Sequence, residues 1–277
     1  MKRFLSLDWD YFINATATQR CMLFPDGGNE SLTYELQDFI WNRHYTNPEL
    51  EDIGILKKEY EIINKMLRKF VDKCLHSRKA DSPAEVLCTV SHRWIYDFIT
   101  LRTNRDEEFE VYNVDFHHDM YCYKTEGQEV NCGNWVNCLL ERRPNMQYHW
   151  VKREDSDDEV IGGYKVDCPI NTLEDIKDLD FDYVFLCRSD CWSPPHLDNY
   201  FETLWALMIR SMPISIESKV SHIRKVSALS EAEQKYGANI AIIKDMQKYP
   251  NATCVNCGDI IPEGSSSYFC DKCNKVQ

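Results

Sequence analysis

Asp115, His117 and Asp119 fall at alternate positions of Val114-Asp115-Phe116-His117-His118-Asp119. Alternate residues of extended backbone face one way. If Val111 to Val114 ends a strand, two carboxylates and an imidazole therefore meet on one side, where a divalent cation could hold them. At a buried strand end with no counter-charge, each ion would lose several kcal/mol of hydration, roughly. The plain alternative is a solvated strand end. A second pair with the same period, Asp8 and Asp10, follows the apolar run Arg3 to Leu7. His92 follows the run Ala84 to Val90, and Asp190 follows Phe181 to Cys187. Near the end of the chain, Cys254-Val255-Asn256-Cys257 and Cys270-Asp271-Lys272-Cys273 form paired CxxC knuckles. That is the spacing of a closed, structural Zn²⁺ site, with redox chemistry as the alternative.

Each acid or histidine candidate comes just after a run that reads as a buried strand, and open α/β sheets gather their ligands at the carboxyl ends of strands. The spacing from His92 to Asp115 suits one helical crossover, which predicts that their strands are parallel neighbours. Helical stripes recur at Leu32, Leu36, Phe39 and Ile40, at Ile63, Met66, Leu67, Phe70 and Cys74, and at Phe201, Leu204, Trp205 and Met208 after Pro194-Pro195. Asn171-Thr172-Leu173-Glu174 reads as a helix start, and Ser230-Glu231-Ala232-Glu233 as a capping box opening a last helix that runs to Tyr249. Tyr121 to Val130 is a polar loop, Asn131 to Trp135 opens a helix, and Arg153 to Glu159 reads as a solvated loop. The expected class is α/β: a three-layer α/β/α domain with a mainly parallel sheet over residues 1–250, then a zinc ribbon over 251–277. The ribbon has too few large apolar side chains to fold without its metal.

The chain has 277 residues, 43% of them hydrophobic, enough for one sizeable core. Its net charge of −13 argues against a nucleic-acid partner and favours cationic small molecules or basic peptides. No run has the length of a membrane span, and Asp8 interrupts any apolar leader, so a soluble, cytoplasmic protein is expected. The 13 cysteines then read as reduced thiols apart from the four in the knuckles.

A donor set of carboxylates and imidazoles favours hard or borderline cations such as Mn²⁺ over a thiolate-type site. So many aspartates around one ion would repel one another. Two ions about 3.5–4 Å apart accommodate them and can activate a shared water, which implies hydrolysis.

Asp8-x-Asp10 after a first strand also opens the haloacid-dehalogenase phosphatases, but Tyr11-Phe12 stands where that family has Gly-Thr. The fuller set resembles the arginase (ureohydrolase) fold, which histone deacetylases share in modified form. Asp115-x-His117-x-Asp119 is similar to its metal signature, His92 to its upstream histidine, and Ser6-Leu7-Asp8-Trp9-Asp10 to its Ser-Phe-Asp-x-Asp strand. Leu7-Asp8-Trp9-Asp10-Tyr11-Phe12 and Gly133-Asn134-Trp135 most resemble the peptide arginases, which turn peptidyl-arginine of ribosomal precursor peptides into ornithine and urea. The resemblance covers residues 1–200. It implies two Mn²⁺ held by Asp8, Asp10, His92, Asp115, His117 and Asp119. The Asp-x-Asp strand comes first here rather than last, which implies a circularly permuted fold. The proton-shuttling histidine of ureohydrolases has no counterpart after the metal motif, where His118, Asn134 and Glu126 stand instead. Asp190, or Glu126 or Glu129, could pair with a guanidinium, although Asp190 could equally be the structural partner of Arg188. A single-zinc amide hydrolase of the deacetylase type and a non-catalytic zinc-ribbon adaptor are the competing expectations. The zinc ribbon could hold the leader of a precursor peptide, and self-association is left open.

Overall fold

The computed structural model describes residues 1–25, 34–76, 85–121, 129–157, 159–160, 164–165, 167–209 and 224. The chain separates into one unit over Met1–Val226 and another over Ser227–Gln277. The second unit lies outside the described residues, and with it the Ser230 helix and Cys254, Cys257, Cys270 and Cys273.

Ten strands occur among the described residues: β1 Lys2–Asp8, β2 Ile13–Asn14, β3 Gly54–Ile55, β4 Glu85–Thr89, β5 Phe109–Val114, β6 Met146–Val151, β7 Glu159–Val160, β8 Tyr164–Lys165, β9 Ile170–Asn171 and β10 Tyr183–Cys187. The helices are α1 Ala17–Leu23, α2 Tyr34–His44, α3 Lys57–His76, α4 Trp94–Thr100, α5 Trp135–Arg142, α6 Leu173–Ile176 and α7 Asp198–Ile209. β4, β10, β1, β5, β6 and β9 form, in that order, one sheet whose pairings are all parallel. β1 lies between β10 and β5, in register from Phe4↔Tyr183 to Asp8↔Cys187 on one side and from Lys2↔Phe109 to Leu7↔Val114 on the other.

Alternation assigns the strand side chains to two cores. Leu5, Leu7, Val86, Val114, Val184 and Leu186 pack with Ile63, Leu67 and Phe70 of α3 and Phe201 and Leu204 of α7. Phe4, Phe109, Val111, Trp150 and Phe185 pack on the other face with Ile95, Phe98 and Ile99 of α4 and Trp135, Val136 and Leu139 of α5. Burying each such side chain contributes about 2 kcal/mol. The result is an α/β fold with helices flanking a six-stranded parallel sheet, compatible with three α/β/α layers. No helix among the described residues is long and apolar enough to cross a membrane.

One expectation needs correction. β4 and β5 are not neighbours, because β10 and β1 lie between them. Length alone fixes neither how many strands a crossover passes nor which strands later fill the gap. Thr172 caps α6 as the sequence indicates, its hydroxyl bonding to Asp175 Oδ2 at 2.8 Å.

Candidate metal centre

On the α4/α5 face of the sheet the apolar pattern stops near the carboxyl ends of the central strands. Ser6 of β1 and Asn113 of β5 are fully buried there, one pleat before the buried carboxylates of Asp8 and Asp115. His92 reaches the same place from the turn after β4. Its ring stacks on Phe185 of β10, with centroids 5.6 Å apart and planes 15° apart, so it lies over the first of the two strands that separate β4 from β5.

The His92 ring has two different edges. Nε2 lies 2.7 Å from Ser6 Oγ. With Nε2–H donating to that hydroxyl, Nδ1 turns its lone pair toward Asp8 Oδ2, Asp115 Oδ2 and Asp119 Oδ2, at 3.1, 3.0 and 3.1 Å. Nδ1 is buried and makes no hydrogen bond of good geometry among the described residues. Neighbouring donors in octahedral coordination at about 2.1 Å from a small divalent cation lie about 3 Å apart, the spacing seen here. A histidine ligand usually donates its other N–H to a fixed partner, the part Ser6 plays.

The second grouping lies just beyond the strand ends. His117 Nδ1 is 3.0 Å from Asp10 Oδ2 and 3.8 Å from Asp115 Oδ1. Asp10 Oδ2 is likewise buried without a hydrogen-bond partner. Asp8, His92 and Asp115 form one set able to hold a metal ion, and Asp10, Asp115 and His117 form another. Asp115 belongs to both, with Oδ2 facing the first and Oδ1 the second. The residues therefore fit a divalent cation by donor type, spacing and unsatisfied atoms.

Electrostatics points the same way. Burial, with Asp10 and Asp115 close by, pushes Asp8 up to about 7. Burial, with Asp119 and Asp10, pushes Asp115 up to about 8. Burial works to lower both histidines, but Asp119, Asp115 and Asp8 outweigh it at His92 and raise it well above the ordinary value. At His117 the Asp10 carboxylate outweighs burial and carries the imidazole to about 9. Burial also opposes ionisation of Asp10, yet His117 keeps it below the usual carboxylate range. Protons are thus held where positive charge is needed.

Supporting bonds fix the carboxylates. Ser189 Oγ donates to Asp8 Oδ2 at 3.0 Å, Trp135 Nε1 to Asp119 Oδ2 at 2.5 Å, and Asn113 Nδ2 to Asp115 Oδ2 at 3.2 Å. The Arg20 guanidinium lies 3.9 Å from Asp10 Oδ2, donates to the Asp10 carbonyl at 2.9 Å, and covers the Phe116 ring at 3.8 Å. Asp119 and Ser189 both have φ of 56°, a left-handed conformation uncommon outside glycine. Ser6 was legible as the residue two before Asp8, on the same side of the strand. Asn113 stands in the same relation to Asp115, whereas Ser189 and Arg20 carry no such signal.

The other candidates stand apart from the metal groupings. Asp190 takes Arg188 Nε on Oδ1 at 2.6 Å and Arg188 NH2 on Oδ2 at 2.9 Å, so its carboxylate holds this buried guanidinium of the protein itself rather than standing open to a substrate. His118 Nδ1 accepts from Met120 N at 2.9 Å, and its ring lies 4.1 Å from that of Tyr121. Asn134 accepts from Asn131 N at 2.8 Å and donates to the Glu129 carbonyl at 3.1 Å, which shapes the loop before α5. Glu129 is exposed, 3.9 Å from Arg93. Glu126 lies outside the described residues. Compared with known family models, curated proteins and solved structures, the chain matches none.

Proposed function

We propose that this protein is a hydrolase that uses two divalent cations of the Mn²⁺ type to cleave guanidinium groups, converting peptidyl-arginine and water into peptidyl-ornithine and urea. The observation that carries the reading is the double engagement of Asp115, whose two carboxylate oxygens face two separate sets of carboxylates and imidazoles. Asp8, His92, Asp115 and Asp119 would hold one ion, and Asp10, Asp115 and His117 the other. Ions bound there would supply Lewis-acid polarisation and a water acidic enough to act as a nucleophile near neutral pH. The chain's own contribution is orientation. Ser6 sets the His92 tautomer, Trp135 and Ser189 aim Asp119 and Asp8, and Arg20 steadies the Asp10 backbone. Guanidinium as the substrate rests on the resemblance of the Asp8, Asp115 and Gly133 stretches to peptide arginases, with a permuted order of metal strands. The net charge of −13 agrees with a cationic substrate. The four C-terminal cysteines would hold a separate, structural Zn²⁺.

The test is metal analysis with product analysis. Protein purified with Mn²⁺ is expected to carry two Mn²⁺ besides one Zn²⁺, and to release urea from an arginine-containing peptide while leaving ornithine in it. One catalytic zinc with amide hydrolysis would replace this reading by the deacetylase type. No metal beyond the cysteine-bound zinc, with no turnover, would leave the adaptor.

A further inference from the structure

The metal-facing side chains differ sharply in access. Those of Asp8, Asp10, His92, Asp115 and Asp119 are at most 5% exposed, whereas that of His117 is 23% exposed. Any molecule approaching the centre through the described residues therefore arrives past His117. Its imidazole is bordered by aromatic rings: Trp192 at 5.0 Å between centroids and Tyr121 at 6.4 Å, with Phe116 edge-on at 5.2 Å. Trp192 and Tyr121 are only half-buried, so neither residue is sealed in the core. Phe116 is buried beneath the Arg20 guanidinium.

The Trp192 segment is rigidly built. Trp192 N donates to the Ser189 carbonyl at 2.8 Å, and the single Ser193 Oγ–H is shared between the Arg188 and Ser189 carbonyls, at 2.7 and 3.0 Å. The buried Arg224 guanidinium bonds the Asp190 and Ser193 carbonyls at 2.7 and 2.8 Å, and Trp41 Nε1 bonds the Asp190 carbonyl at 2.7 Å. Tyr121 is fixed through its N–H to the Gly133 carbonyl at 3.0 Å, and a Cβ on Gly133 would approach Tyr121 Cδ2 to 3.2 Å, so the glycine leaves room for the ring. Backbone held this way loses little entropy when a ligand stacks on the rings it carries.

With the Asp190 carboxylate already holding Arg188, we infer that Trp192, with Tyr121, recognises the planar cationic group of the substrate at the mouth of the metal centre. A guanidinium is a flat, weakly hydrated cation that stacks on aromatic faces, most strongly on tryptophan. The inference rests on the guanidinium-hydrolase reading above and makes Trp192 a determinant of specificity rather than a group that handles protons or metal.

The experiment compares the full-length, Mn²⁺-loaded wild type with Trp192→Leu and Trp192→Phe. The substrate is an arginine-containing peptide, and the competitor is the same peptide with citrulline, an uncharged planar isostere, in that position. Trp192→Leu is expected to raise KM for the arginine peptide about tenfold, with kcat and the citrulline inhibition constant within about twofold of wild type, and Trp192→Phe to recover much of the loss. An unchanged KM in Trp192→Leu while the wild type turns over would overturn this inference alone. Loss of bound metal in both variants would also overturn it, in favour of a structural role. A wild type that releases no urea would overturn the proposed reaction instead. Recognition is then read from calorimetric Kd values of the two peptides, where equal losses for both peptides, or no loss, in Trp192→Leu would overturn it.

Discussion

Asp115 is the side chain on which both metal groupings depend, and His117 serves only one of them. The two should therefore differ on substitution. Asp115→Asn keeps the shape but removes the charge shared by both groupings, and it is expected to weaken binding of both Mn²⁺ ions. His117→Ala is expected to cost one ion and leave the Asp8, His92 and Asp119 grouping loaded. Mn²⁺ stoichiometry by elemental analysis after dialysis reads the difference. Identical stoichiometry in the two variants would remove the shared role of Asp115. The serine at position 6 acts one step back, through the imidazole it orients, and its signature in the chain is only its phase relative to Asp8.

At the scale of elements, the centre exists because β1 is paired on both sides, which brings the ends of β10 and β5 level with its own end. α5 then closes the site: Trp135 is fully buried in the core under the sheet, and its indole N–H reaches Asp119. Trp135→Phe keeps an aromatic ring in the core but leaves the Asp119 oxygen without this donor. The variant is expected to lose about 2 kcal/mol of stability by urea unfolding. Mn²⁺ affinity is expected to fall about tenfold, as is common when a partner of a metal ligand is removed. A loss of stability with unchanged Mn²⁺ affinity would show that Trp135 only packs. Arg153 shows how an element's neighbours override local character. It begins a run that reads as solvated, yet its guanidinium is buried and bonds the Tyr11 and Ile13 carbonyls at 3.3 and 2.5 Å, behind the Asp8-to-Phe12 turn.

For the Met1–Val226 unit as a whole, Arg224 ties chain beyond α7 to the segment that carries Ser189 and Trp192. Its Nε and NH2 engage Asp198, NH1 bonds the Asp190 and Ser193 carbonyls, and NH2 also reaches Ser193 Oγ, so every donor of the fork is used. Arg224→Ala would leave Asp198 without this partner, and a destabilisation of about 3–5 kcal/mol is expected by urea unfolding. A loss below about 1 kcal/mol would show that the fork is dispensable. The sequence by itself determined the strands that end in Asp8, Val114 and Cys187, the helical stripes of α3 and α7, and the donor types of the centre, because period-2 and period-3.6 burial and the needs of buried charge act over a few residues. Tertiary structure alone decided that β10 and β1 separate β4 from β5, that His92 reaches across them, and that Asp190 is occupied by Arg188. It alone, too, recruited Ser189, Arg20 and Trp192 to the centre. These outcomes depend on which distant segments meet in three dimensions, and no local spacing in the chain encodes that meeting.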